Sequence, residues 1–124
     1  MNNLKRMELA VYGESCAAKL LISKGFAIIC KNFHSAYGEV DIVATQGDVL
    51  IFVEVKTRSS DFEQALTSIS FGKQQKLAKT ALVFIAKNPK YESCFTRFDV
   101  IAIVVKNDKT EIKHIEEAFL PALL

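Results

Sequence analysis

Residues 98–105, FDVIAIVV, constrain the fold more than any other stretch, because Asp99 alone interrupts an apolar run. A strand without polar alternation has no face left for water, so it belongs inside a sheet that is covered on both sides. The segment before it, residues 70–87, carries Phe71, Leu77, Ala81, Leu82, Phe84 and Ile85 at helical spacing, and Pro89 stops it. A helix that feeds a buried strand predicts parallel pairing with an earlier strand through a right-handed crossover.

Two earlier strands are legible. Residues 39–45 (EVDIVAT) and 49–57 (VLIFVEVKT) flank Gln46-Gly47-Asp48, which is good turn chemistry for an antiparallel hairpin. Alternation places Glu39, Asp41 and Val43 on one face of the first strand and Val40, Ile42 and Ala44 on the other. In the second strand Phe52, Glu54 and Lys56 share a face, opposite Ile51, Val53 and Val55. Upstream, Met7, Ala10, Val11, Ala17, Ala18, Leu20, Leu21 and Ile22 suit an amphipathic helix over residues 7–24, ended by Gly25. Gly13 marks a break, with the firm helix starting there. Residues 26–33 read as a strand and 111–115 as a short edge strand. The expected class is α/β in the order α-β-β-β-α-β, with one mixed sheet flanked by helices. No repeat or linker divides the chain, so residues 1–124 form one domain in this reading. Both prolines, Pro89 and Pro121, fall near element ends.

Charge narrows the function classes only slightly. Lys and Arg number 16 against 14 Asp and Glu, a net charge of +2, so any basic surface must come from local arrangement. Cys16, Cys30 and Cys94 are odd in number and lack CxxC spacing, which argues against a disulfide framework or zinc knuckle and for buried free thiols. No apolar run approaches the roughly 18 residues of a membrane span, and Glu8 and Glu14 interrupt any leader-like segment. A soluble cytoplasmic protein is expected.

Chemistry concentrates in the hairpin. Asp41 sits in VDIV, and Glu54 and Lys56 sit in FVEVK. Ionised side chains inside such apolar runs are costly unless paired or bound to a cation. The hairpin lets Asp41 and Glu54 approach on one face, and Glu39 points the same way. Two carboxylates about 4 Å apart repel by roughly 4 kcal/mol at an effective dielectric of about 20. A hard divalent cation such as Mg²⁺ removes that cost. Lys56 beside it can act on a bound water or on charge developing on a phosphate. Asp41, twelve residues, then Glu54-Val55-Lys56 is thus a compact device for phosphodiester hydrolysis. The plainer alternative for Glu-x-Lys on a strand is a solvated face with a cross-strand ion pair.

GEVDIVA, then IFVEVKTR, then RFDVIAI resembles the YraN family of small, uncharacterised bacterial proteins, and YGESCAAKLLISKGFAIICKN upstream fits the same pattern. The resemblance spans residues 9–119. That family is similar in turn to the restriction-endonuclease-like fold and its PD-(D/E)xK sites, including Holliday junction resolvases. The resemblance implies a three-layer endonuclease-like domain and Mg²⁺ or Mn²⁺ as cofactor. It implies a nucleic-acid partner, structured or branched DNA, and a homodimer by analogy with resolvases. It implies Asp41 and Glu54 as metal ligands, Lys56 as the catalytic lysine, and Glu14 and Glu39 as further members of the metal shell. Glu14 reads equally well as a helix-start carboxylate favoured by the dipole. Val40 stands where the nuclease motif often has Pro. Fold alone does not establish function. A non-catalytic nucleic-acid-binding or DNA-processing accessory module is the alternative, and a protein-interaction domain is a third.

Arg58 continues the Lys56 strand and can touch phosphate. Lys73 and Lys76, with Lys79, Lys87 and Lys90, lie in a stretch free of acidic residues from Ser70 to Lys90, as a surface tracking a phosphate backbone would. Solubility alone asks the same of an exposed helix. Gln74 reads as a solvated side chain, the resemblance offering instead the supporting Gln that related nucleases sometimes place there; Asp99 reads as a partner of Arg97 or of backbone, and His34 and His114 as isolated.

Overall fold

A computed structural model describes residues 3–59 and 69–120. The chain runs α1 (Asn3–Ser23), β1 (Ala27–Ser35), β2 (Gly38–Gln46), β3 (Val49–Arg58), α2 (Phe71–Lys87), a 3-10 turn (Pro89–Tyr91), β4 (Phe95–Lys106) and β5 (Lys109–Ile115). The five strands lie in sequence order in one sheet. The β2–β3 hairpin is antiparallel and β3 pairs parallel with β4, as helix α2 between them requires. Residues 111–115 belong to a full edge strand, antiparallel to β4. Pro121 lies outside the described residues.

The covered strand is β4, with Phe98 to Val104 buried without interruption. On one side of the sheet, Leu77, Ala78, Ala81 and Phe84 of α2 pack on Val43, Leu50, Phe52, Phe98 and Val100. On the other, Ala17, Ala18 and Leu21 of α1 pack on Ile42, Ala44, Ile51, Val53, Ile101 and Ile103. Helices on opposite faces of a five-stranded mixed sheet make the three-layer arrangement of the restriction-endonuclease-like fold.

Several local expectations change. Helix α1 runs unbroken through Gly13, because Gly13 is a contact and not a break: a Cβ there would run into the Thr57 side chain. Met7, Val11 and Ile22 are exposed, and among the described residues the buried apolar stripe of α1 lies in its C-terminal half, at Ala17, Ala18 and Leu21. The exposed Tyr12 is tethered by a hydroxyl contact to Thr110 at 2.7 Å. In α2, Phe71 and Leu82 face water, whereas Thr80 is fully buried and bonds Ser35 at 2.8 Å. Ser70 caps α2, its Oγ accepting from the Lys73 amide. The three cysteines are free thiols, half-buried rather than buried. Among the described residues no helix is long and apolar enough to cross a membrane.

Candidate functional site

The site forms where the sheet splits. Strands β2 and β3 pair from Gln46↔Val49 to Ile42↔Val53 and no further. Beyond that point β2 follows β1 to Gly38, and β3 follows β4 to Arg58. The Val55 amide therefore has no β2 carbonyl to meet. The Asp41 carboxylate takes its place, its Oδ2 accepting from Val55 N at 2.7 Å. The split also breaks the alternation expected for β2: Val40 packs with Val43 on the α2 side, not with Ile42.

Carboxylates gather around that split. Burial pushes the Asp41 carboxyl up from 3.8 to about 7. The Glu54 charge adds to the rise, the Val55 amide opposes it, and the charges of Glu14 and Glu39 raise it further. Three of the predicted acidic residues, from α1, β2 and β3, thus act on the fourth. Asn32 joins them: it stands in β1 with a left-handed φ of 54°. In the amide orientation that satisfies both neighbours, its nitrogen donates to Glu39 Oε1 at 2.9 Å and to Glu14 Oε1 at 3.2 Å. Glu14 stands in the middle of the unbroken α1, not at a helix start, and Asn32 ties it to the cluster. Nothing local in the sequence marks Asn32, because its partners come from two distant elements.

The basic residues divide. Lys56 shares the β3 face of Glu54; burial lowers its pKa, the charges of Arg58 and Lys73 lower it further, and Glu54 opposes them. Lys73 of α2 reaches over the sheet and pairs with Glu54 Oε1 at 2.6 Å. Arg58 ends β3 and donates to the Thr57 carbonyl at 2.9 Å. Lys76 has its Cβ over Gly38, next to Glu39 at the β1–β2 turn. Further along, Lys79 and Lys87 cover the rings of Tyr37 and Phe33. Gln74 is no solvated side chain, since its amide donates to the Ile69 carbonyl at 2.9 Å.

Asp41, Glu54, Glu14 and Glu39 offer only carboxylate oxygen, which suits a hard divalent cation. Their mutual repulsion on Asp41 is the electrostatic demand that such a cation answers. Their present arrangement is looser than a coordination shell: among the described residues no three Asp, Glu, His or Cys side chains converge as ligands of one ion. Glu54 is turned to Lys73 instead.

A second polar cluster was legible in part: Asp99 does partner Arg97 and backbone as expected, and the addition is His114. Asp99 is buried and receives Arg97 Nε at 2.9 Å, the Glu117 amide at 3.0 Å and His114 Nε2 at 2.8 Å. His114 is not isolated; its Nδ1 meets Lys24 Nζ at 2.7 Å. Burial pushes Asp99 up, but hydrogen bonds from His114, Arg97 and Glu117, with the Arg97 charge, outweigh it and hold the carboxyl below its ordinary value. Asp99 and His114 are fifteen residues apart and meet through the β4–β5 pairing. A lone Asp opening an apolar run was the available signal.

Residues 13–103 match the uncharacterised protein family UPF0102. A UPF0102 protein of Thermodesulfovibrio yellowstonii is 45% identical over 117 residues, covering 94% of this chain and 99% of that protein. One from Syntrophomonas wolfei is 40% identical, covering 90% of this chain and 97% of its own length. One from Dictyoglomus turgidum is 37% identical, covering 96% of this chain and 100% of its own.

Proposed function

This chain belongs to the uncharacterised protein family UPF0102, and for it we propose a metal-dependent nuclease-like activity on nucleic acid, structured or branched DNA in the first place. One observation carries the reading: the Asp41 carboxyl is pushed up to about 7 by burial and by three surrounding carboxylates. A cluster of that kind is unfavourable by itself and becomes favourable around a cation. Asp41 and Glu54 would hold Mg²⁺ or Mn²⁺, with Glu14 and Glu39 beside them, once Glu54 turns from Lys73. The bound cation supplies Lewis acidity toward a phosphate oxygen and a more acidic water. The Val55 amide fixes the Asp41 carboxylate against β3. Asn32 holds Glu14 and Glu39 at their places. Lys56, whose lowered pKa eases proton exchange, stands beside Glu54 to neutralise charge on the phosphate or to take a proton from water.

The Lys73–Glu54 pair favours a second reading. A cation-like ammonium already neutralises one carboxylate, as a non-catalytic nucleic-acid-binding or accessory module of the same fold would permit. Labelled single-stranded, duplex and branched DNA, incubated with Mg²⁺, Mn²⁺ or EDTA, separates the two. The enzyme cuts at least one substrate with metal and none in EDTA. Binding without any cleavage in either metal supports the module, and no binding at any salt concentration discards both.

A further inference from the structure

A groove of about 460 Å³ opens between α1 and the end of β3. Arg6, Leu9 and Ala10 of α1 line it, with Thr57 and Arg58 at the end of β3 and Ser59 after it. Two guanidinium groups thus come from separate elements to one cavity, with two hydroxyls and, among the described residues, no carboxylate in the lining. Guanidinium is the side-chain group best matched to phosphate, through paired N–H donors and a permanent charge. Leu9 and Ala10 supply an apolar wall between the charges. The volume falls in the lower part of the range for small-molecule sites, about 300–1,000 Å³. It suits one phosphate with a sugar and base better than a bare anion.

The groove is linked to the site by one electrostatic effect and one close packing. The Arg58 charge acts on Lys56. Gly13, next to Glu14, lies against Thr57 so closely that only glycine fits, which seats α1 over the end of β3, where Thr57 lines the groove.

We infer that this groove is a nucleotide-binding subsite: Arg6 and Arg58 grip one phosphate, and Leu9 and Ala10 receive the attached sugar or base. The inference rests on the functional reading for its link to a polymer strand, not for the binding of the nucleotide itself. The occupant is a nucleoside monophosphate, either free or as one unit of a strand.

The test is an amide NMR titration of the whole chain in EDTA with dAMP, deoxyadenosine, inorganic phosphate and a 5′-phosphorylated trinucleotide. We expect dAMP to shift the amides of Leu9, Ala10, Thr57 and Ser59. Deoxyadenosine and phosphate each lack half of the ligand and bind more weakly. Arg6→Gln and Arg58→Gln each remove a charge-assisted hydrogen bond and weaken dAMP by about tenfold. Lys113→Gln, on the exposed edge strand, leaves affinity unchanged. A trinucleotide at least about tenfold tighter than dAMP marks a strand as the occupant, and equal affinity marks the free nucleotide. No shift at these four amides overturns the assignment, as do shifts that survive both arginine variants or inorganic phosphate binding as tightly as dAMP. Binding is read without metal and without cleavage, so a protein that cuts no DNA still passes or fails here on its own.

Discussion

Replacing Asp41 by Asn should make the metal-free protein more stable, and the gain should depend on pH. The Asn carboxamide oxygen can still accept from the Val55 amide, so the backbone at the split is kept. What disappears is a carboxylate whose ionisation the fold opposes. Its carboxyl titrates at about 7 in the fold against 3.8 ordinarily. At about 1.4 kcal/mol per pH unit, that gap amounts to about 4 kcal/mol at pH 8. Water reaching the half-buried group screens part of it, so about 2–4 kcal/mol is the expected gain. For a chain of this length, that is a rise in Tm on the order of 10 °C.

The sign follows from linkage. A carboxyl raised in the fold costs nothing below its ordinary value of 3.8, progressively more above it, and the full amount above about 7. The advantage of Asp41→Asn should therefore fall to less than half by pH 5 and vanish near pH 4. Urea or thermal melts in EDTA at pH 8, 6.5, 5 and 4 measure it. Mg²⁺ should stabilise the parent and close the gap, because a cation bound only by the folded state adds stability by mass action. A variant no more stable than the parent at pH 8, or equally advantaged at pH 8 and pH 4, would refute the account of a strained carboxylate cluster.

Lys56→Ala should abolish cleavage while leaving the melt and the Mg²⁺ titration nearly unchanged, because a lysine acts on water or phosphate without ligating the metal; a strongly destabilised variant would point to a structural ion pair instead. Lys73→Gln should tighten Mg²⁺ binding, since it releases Glu54; calorimetry showing equal or weaker affinity would remove the competition between Lys73 and the cation. Gly13→Ala should destabilise by about 1–3 kcal/mol despite the better helix propensity of Ala, because the new methyl meets Thr57; urea midpoints decide it. Asp99→Asn should cost about 3–5 kcal/mol by leaving Arg97 and His114 without their buried partner. In the parent, the stabilisation from Asp99, whose folded pKa is depressed, is present above the ordinary carboxylate range and is lost as pH falls through the lowered folded value; acid titration of the unfolding midpoint in parent and variant reads the difference.

The sequence by itself determined the elements, the central hairpin and the parallel strand beside it. Those features are local: a turn at Gln46-Gly47-Asp48, an apolar octapeptide, and a helical period before it. It also marked Asp41, Glu54 and Lys56, because a charge inside an apolar strand stands out against its neighbours. Tertiary structure decided what those charges face. Alternation alone put Val40 and Asp41 on a regular pleat; the separation of β2 from β3 after Ile42↔Val53 undid it and gave the Val55 amide to Asp41. Lys73 read as one basic residue on an exposed helix until α2 folded back over the sheet and brought it to Glu54. Asn32, His114 and the groove under Arg6 were invisible for the same reason. Each owes its role to partners from another element, and the angle at which two elements pack is fixed by the whole core rather than by any short stretch of chain.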